Sequence, residues 1–184
     1  FRIIENNLDH LEKFIGPPLM DSFKEFYGFD DESACAAVTK YREYFSTNGM
    51  YENFVYPMIP ELLVELSKAG KRLAVATSKP TVFATEILRH FDLLKYFEFV
   101  AGSNLDGSRV KKGEVISYAI KELNLCNREE IVMIGDRKHD VIGARETGID
   151  SIGILYGYGS MEEMQDISPT YIAESVRDLR SIIL

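Results

Sequence analysis

The 184-residue chain predicts an α/β protein: a doubly wound parallel sheet joined to a smaller all-helical unit. Three observations carry this expectation. Residues 57–184 alternate short apolar runs with stretches of helical period, the pattern of strand–helix–strand crossovers. Residues 1–56 show helical period alone. Polar, chemistry-bearing loops follow the carboxyl ends of the apolar runs, where open parallel sheets bind their ligands.

In chain order, Asn7 to Phe14 is amphipathic and closes at Gly16-Pro17-Pro18, which stops one helix and starts the next. Pro18 to Tyr27 repeats the pattern and ends at Gly28. Asp30 or Asp31 caps a longer helix through Phe45, with Ala34, Val38, Tyr41 and Phe45 on one face and Asn48-Gly49 as its stop. Ile59, Leu62, Leu63 and Leu66 form the first helical stripe of the second half, ended by Gly70. Leu73 to Ala76 has the length of a buried parallel strand, and Thr81 to Arg89 is the following helix. Phe97 to Val100 is the next strand, and Val115, Ile116, Ala119, Ile120 and Leu123 make a helical stripe. Ile131 to Ile134 is the clearest strand, with a helix around Val141 to Glu146 stopped by Gly148. Ile152 to Leu155 and Tyr171 to Ala173 complete the strands before a C-terminal helix.

Composition narrows the function. A net charge of −8 disfavours nucleic acid, whose phosphates demand clustered Lys and Arg. No apolar run is long enough to span a bilayer, so a membrane is not an expected partner. Cys35 and Cys126 lack motif spacing and metal partners, which fits reduced thiols in the cytoplasm. The expected partner is a small phosphorylated metabolite, bound by a monomer or homodimer.

Three loops carry the chemistry. Thr77-Ser78-Lys79-Pro80 follows the first strand; Asp106, Gly107, Arg109, Lys111 and Lys112 follow the second; Gly135-Asp136-Arg137-Lys138-His139-Asp140 follows the third. Hydroxyls and backbone amides hold phosphate oxygens, and a lysine adds a point charge. Carboxylates hold Mg²⁺, which shares its coordination with water and substrate phosphate. Each loop also has a plain structural use. Thr77 and Ser78 suit a helix cap, Lys111 and Lys112 a solvated loop, and Gly135-Asp136 a turn. His139 suits a surface position. The order of the three loops at strand ends favours the phosphate reading.

On these residues the chain resembles the haloacid dehalogenase superfamily, in its phosphoglycolate-phosphatase-like branch. Leu73-Ala-Val-Ala-Thr77 is similar to the family's second motif, Lys112 before Gly113-Glu-Val-Ile116 to its third, and Gly135-Asp136-Arg-Lys-His-Asp140 to its fourth. Lys111 rivals Lys112 for the third. The resemblance implies that Thr77 and Ser78 bind the substrate phosphate and that Lys112 steadies phosphate and nucleophile. It makes Asp136 a Mg²⁺ ligand, with Asp140 supporting the metal directly or through water. It also makes residues 1–56 an inserted cap, in which Gly16-Pro17-Pro18 faces the substrate, and residues 57–184 the phosphatase core.

The implied activity is Mg²⁺-dependent hydrolysis of a phosphomonoester, phosphoglycolate-like or a nucleoside monophosphate, through an aspartyl-phosphate. A sugar phosphomutase or dehalogenase shares the fold, but the Asp136/Asp140 pair disfavours metal-free dehalogenation. The family's first motif, Asp-x-Asp-Gly-Thr at the end of a central strand, has no counterpart in these residues. A strand of about five buried apolar residues contributes roughly 8–15 kcal/mol, comparable with the 5–15 kcal/mol stability of a whole domain. The reading frame is therefore expected to encode it ahead of Phe1, and the 184-residue form is expected to be catalytically silent. The competing reading is a non-catalytic binding or regulatory module; a receiver-like signalling domain fits the helical half poorly.

Overall fold

The computed structural model describes residues 1–184. Residues 1–58 contain no strand. Leu8–Phe14 winds as a 3₁₀ helix instead of an α-helix. Helix α1 (Leu19–Tyr27) ends at Gly28, whose φ of 65° supplies the left-handed cap. Helix α2 (Asp31–Phe45) starts where the Asp30 carboxylate accepts the Ser33 N–H at 2.8 Å, and it buries Ala34, Ala37, Val38 and Phe45.

The second half has the expected alternation: α3 (Ile59–Lys68), β1 (Ala74–Pro80), α4 (Thr81–His90), β2 (Phe99–Ser103), α5 (Lys112–Glu122), β3 (Val132–Gly135), α6 (Lys138–Thr147), β4 (Asp150–Ile154), α7 (Met161–Ile167), β5 (Tyr171–Ala173) and α8 (Val176–Ile183). Strand β2 is Phe99–Ser103 where Phe97–Val100 is expected, and β4 is Asp150–Ile154 where Ile152–Leu155 is expected; two further elements differ more. Strand β1 runs on through Thr77–Pro80, past an irregularity in its pairing after Ala76. Helix α7 was not expected, although Ser160-x-x-Glu163 is a capping signature; the Ser160 hydroxyl accepts the Glu163 N–H at 3.0 Å.

All strand pairs are parallel, as expected, but they form two sheets. β1 pairs with β2, and β3–β4–β5 make a separate three-stranded sheet. Each sheet has its own core. Leu62, Leu66, Ile152, Ile154, Ala173, Val176 and Leu179 pack α3 and α8 on the larger one. Ala101, Val115 and Ala119 pack α5 on the smaller. Between them, β1 and β3 each keep one edge without a strand partner, and no residue of β3 is fully buried although Ser151–Ile154 of β4 are. Chain order runs outward from this interval in both directions, β1 to β2 on one side and β3 to β5 on the other. The interval is therefore the topological switch point, the place where such sheets bind ligands.

Candidate active site

A cavity of about 600 Å³ opens at the switch point, under helices α1 and α2. Its walls include Thr77 and Ser78 of β1, Lys112 of α5, and Asp136 and Asp140 around the start of α6. All five side chains singled out in the sequence thus meet at one place. Their partners differ, and the differences matter chemically.

Lys112 is the hub. Its ammonium lies 2.8 Å from Asp140 Oδ1 and donates to the Ala76 carbonyl at 3.1 Å, tying β1 to α6 across the interval. Both side chains are nearly buried, 11% and 9% exposed, so the pair is little screened by solvent. Gly143 makes this reach possible. A Cβ there would sit 2.8 Å from Lys112 Cγ and 2.9 Å from the Gly113 nitrogen, so only glycine lets α5 and α6 approach this closely. Lys111 is exposed and lines no part of the cavity. Geometry thus separates two residues that sequence left as rivals.

Both oxygens of Asp140 are engaged, because Oδ2 accepts the Arg137 N–H at 3.1 Å and so starts α6. Asp136 has more freedom: its Oδ2 accepts the Tyr158 N–H at 2.9 Å, and its Oδ1 makes no hydrogen bond. The Thr77 hydroxyl accepts the Lys79 N–H at 3.1 Å, a local turn that holds it at the cavity wall. Ser103 is buried and donates to the Ser78 carbonyl at 2.8 Å, bracing the same loop.

Some expected or neglected residues sit elsewhere. Arg109 turns away to the Gly102 carbonyl, Asn104 and the Tyr118 ring, and Asp106 is tied to Ser108; neither lines the cavity. Gly16, Pro17 and Pro18 do line it. So does His139, which sequence assigned to the surface. Burial, and then the neighbouring Lys138 and Arg137 charges, pushes the His139 pKa down, so it is neutral at pH 7. Sequence reasoning also missed the loop after β4. Tyr158 N–H there steadies Asp136, and a Cβ at Gly159 would overlap the Asp136 carbonyl oxygen. The signal was present as Gly157-Tyr158-Gly159 directly after a strand, the glycine-rich composition of a close backbone approach.

The donor set suits a hard divalent cation in part. Asp136 presents one uncommitted carboxylate oxygen, whereas Asp140 is held by Lys112 and the Arg137 N–H. No three His, Cys, Asp or Glu side chains gather into a complete metal cage. Such a partial set fits Mg²⁺, which keeps waters and takes ligands from substrate phosphate. No helix is long and apolar enough to cross a membrane, and both cysteines are free and exposed.

A parallel α/β fold with a hydroxyl, a lysine–carboxylate pair and a second carboxylate at its switch point suits phosphoryl chemistry. The chain belongs to the haloacid dehalogenase-like hydrolase family, whose model matches residues 1–154. It is 46% identical over 181 residues to a Pseudomonas aeruginosa protein called 5'-nucleotidase, covering 98% of this chain and 81% of that one. It is 39% identical over 171 residues to the Mycobacterium tuberculosis tyrosine-protein kinase PtkA, covering 92% of this chain and 58% of that one. The crystal structure of a predicted phosphatase from Clostridium acetobutylicum superposes with a TM-score of 0.96 at 48% identity, covering 98% of this chain and 83% of that one.

Proposed function

We propose that the protein is a Mg²⁺-dependent phosphatase of small phosphomonoesters, acting through an aspartyl-phosphate. The observation that carries this reading is the convergence of Thr77, Lys112, Asp136 and Asp140 on one cavity at the switch point. Among candidate substrates a nucleoside monophosphate is favoured over phosphoglycolate, in keeping with the name of the Pseudomonas relative.

Thr77, with Ser78 beside it, binds phosphate oxygens at the end of the regular part of β1. Lys112, oriented by Asp140, brings its charge to the transferring group and to the nucleophile. Asp136 holds the cation, aimed by the Tyr158 N–H. Mg²⁺ supplies charge neutralisation at the phosphoryl oxygens. The nucleophilic carboxylate would end a strand paired beside β1 or β3, whose facing edges have no strand partner. Residues 1–56 serve as the cap that covers the substrate, and residues 57–184 as the core.

The test is p-nitrophenyl phosphate hydrolysis by the full reading-frame product with and without Mg²⁺. Asp136→Asn is expected to abolish turnover. Turnover that survives this change removes Asp136 as the cation's anchor.

A further inference from the structure

One cation in the cavity has no part in the chemistry above. The Lys79 ammonium lies 4.4 Å from the centroid of the Phe45 ring, and both residues line the cavity. No carboxylate approaches this ammonium within ion-pair distance, and it donates no hydrogen bond. Burial pushes its pKa down, the opposite of what a stabilising anion does. By contrast, Lys112, Arg42 and Arg137 in the same walls are all engaged, with Asp140, the Leu105 carbonyl and Glu163 respectively. A half-buried ammonium kept without an oxygen partner is costly unless something else supplies one.

Its surroundings define the partner's shape. Tyr41 stacks on Phe45 at 5.2 Å with 17° between the rings, and Phe83 meets Phe45 edge-on at 5.5 Å. Tyr41, Phe45 and Phe83 all line the cavity. Phe45 is buried, with its ring taken by Lys79, Tyr41 and Phe83. The more exposed Tyr41 and Phe83 rings are the apolar surface beside the lone donor, and they suit a planar ring that bears an acceptor oxygen. Position agrees. Lys79 lies two residues beyond Thr77 on β1, and its ammonium reaches the Phe45 ring of α2.

We propose that Lys79 and the Tyr41–Phe45–Phe83 wall form the leaving-group subsite, selecting a nucleobase that carries a ring carbonyl, such as uracil. The Lys79 ammonium donates to that oxygen while the aromatic faces cover the base. This rests on the phosphatase reading for turnover but not for binding, and the experiment separates the two. Full-length wild type, Lys79→Met and Lys79→Arg are compared on UMP, phenyl phosphate and phosphoglycolate, with UMP binding followed by calorimetry. Methionine keeps the stem against Phe45 and removes the donor. In Lys79→Met, the ratio of kcat/KM for UMP to that for phenyl phosphate is expected to fall at least tenfold, mostly through KM, and the UMP Kd to rise at least tenfold. Lys79→Arg is expected to restore most of both. A ratio and a Kd within threefold of wild type overturn the subsite, and so does a larger loss on phosphoglycolate than on UMP. If wild type hydrolyses none of the three, the phosphatase reading fails, and the UMP Kd alone then decides the subsite.

Discussion

Replacing Lys112 with methionine tests whether the Lys112–Asp140 pair organises the site or merely decorates it. Methionine preserves the stem that packs against Gly143 and deletes the charge. Asp140 would then keep only the Arg137 N–H at 3.1 Å, in a position 9% exposed. Removing one partner of a buried pair leaves an uncompensated charge, at a cost of about 3–5 kcal/mol. The near-complete burial of both groups leaves little solvent screening to discount that figure. At about 2–4 °C per kcal/mol for a domain of this size, Tm falls by roughly 6–20 °C. Urea unfolding at pH 7, followed by circular dichroism, reads the same loss as a lower midpoint. The double variant Lys112→Met/Asp140→Asn removes the orphaned charge while keeping an oxygen for the Arg137 N–H. It should recover at least about 1 kcal/mol relative to additivity, within the range found for groups in contact. A Lys112→Met protein melting within about 2 °C of wild type refutes the argument, as does a strictly additive double variant.

Two further perturbations probe the walls of the same site. In Gly159→Ala the new methyl overlaps the Asp136 carbonyl oxygen and meets Met164 Cε at 2.9 Å, and neither backbone nor a fully buried Met164 yields easily. Stability should drop by about 1–3 kcal/mol, and phosphatase turnover should fall as Tyr158 N–H leaves Asp136; an unchanged melt and rate would sink this account. Tyr156 is half-buried with its ring edge-on to Tyr56 at 5.5 Å, and burial, reinforced by the charges at Tyr56 and Asp136, pushes its pKa up to about 12. The folded state favours the neutral phenol. Its contribution to stability is therefore complete below about pH 10, the unfolded value, and is lost as pH rises from there toward 12. Ultraviolet difference titration of wild type against Tyr156→Phe should reveal one late-ionising phenol, and a loss of only ordinary, early-ionising absorbance counts against the assignment.

What the sequence could tell depended on whether the signal was local. Strand β3 and the turn into α6 were legible because an apolar run, Gly135 and two spaced aspartates lie within one short segment. Strand β1 was legible only to Ala76: beyond it, Thr77–Pro80 stay extended through tertiary contacts such as the Ser103–Ser78 hydrogen bond, which no local pattern encodes. Lys111 and Lys112 are equivalent by composition. They are told apart by which one faces Gly143 on α6, a contact about thirty residues away. His139 and Lys79 were passed over for the same reason. Burial beside a partner from another element decides their character, and a polar residue after a strand carries no mark of it.

The division of the sheet gives that limit its physical meaning. A strand edge exposes unpaired N–H and C=O groups, a liability that folded proteins cover or pair. Here β1 and β3 hold such edges on opposite sides of one interval, and Lys112 alone bridges Ala76 of the first to Asp140 beyond the second. A parallel strand paired to either of these edges would place its own carboxyl end beside Thr77, Lys112 and Asp136. The residue ending such a strand would meet the Thr77 hydroxyl, the Lys112 ammonium and the Asp136 carboxylate together. Under the proposed mechanism the sheet's hydrogen-bond register would set the nucleophile's position, while the proposed Lys79 subsite, beyond Thr77 on β1, would act on what the phosphate carries. Chemistry and selectivity would then fall at opposite ends of one short stretch of β1.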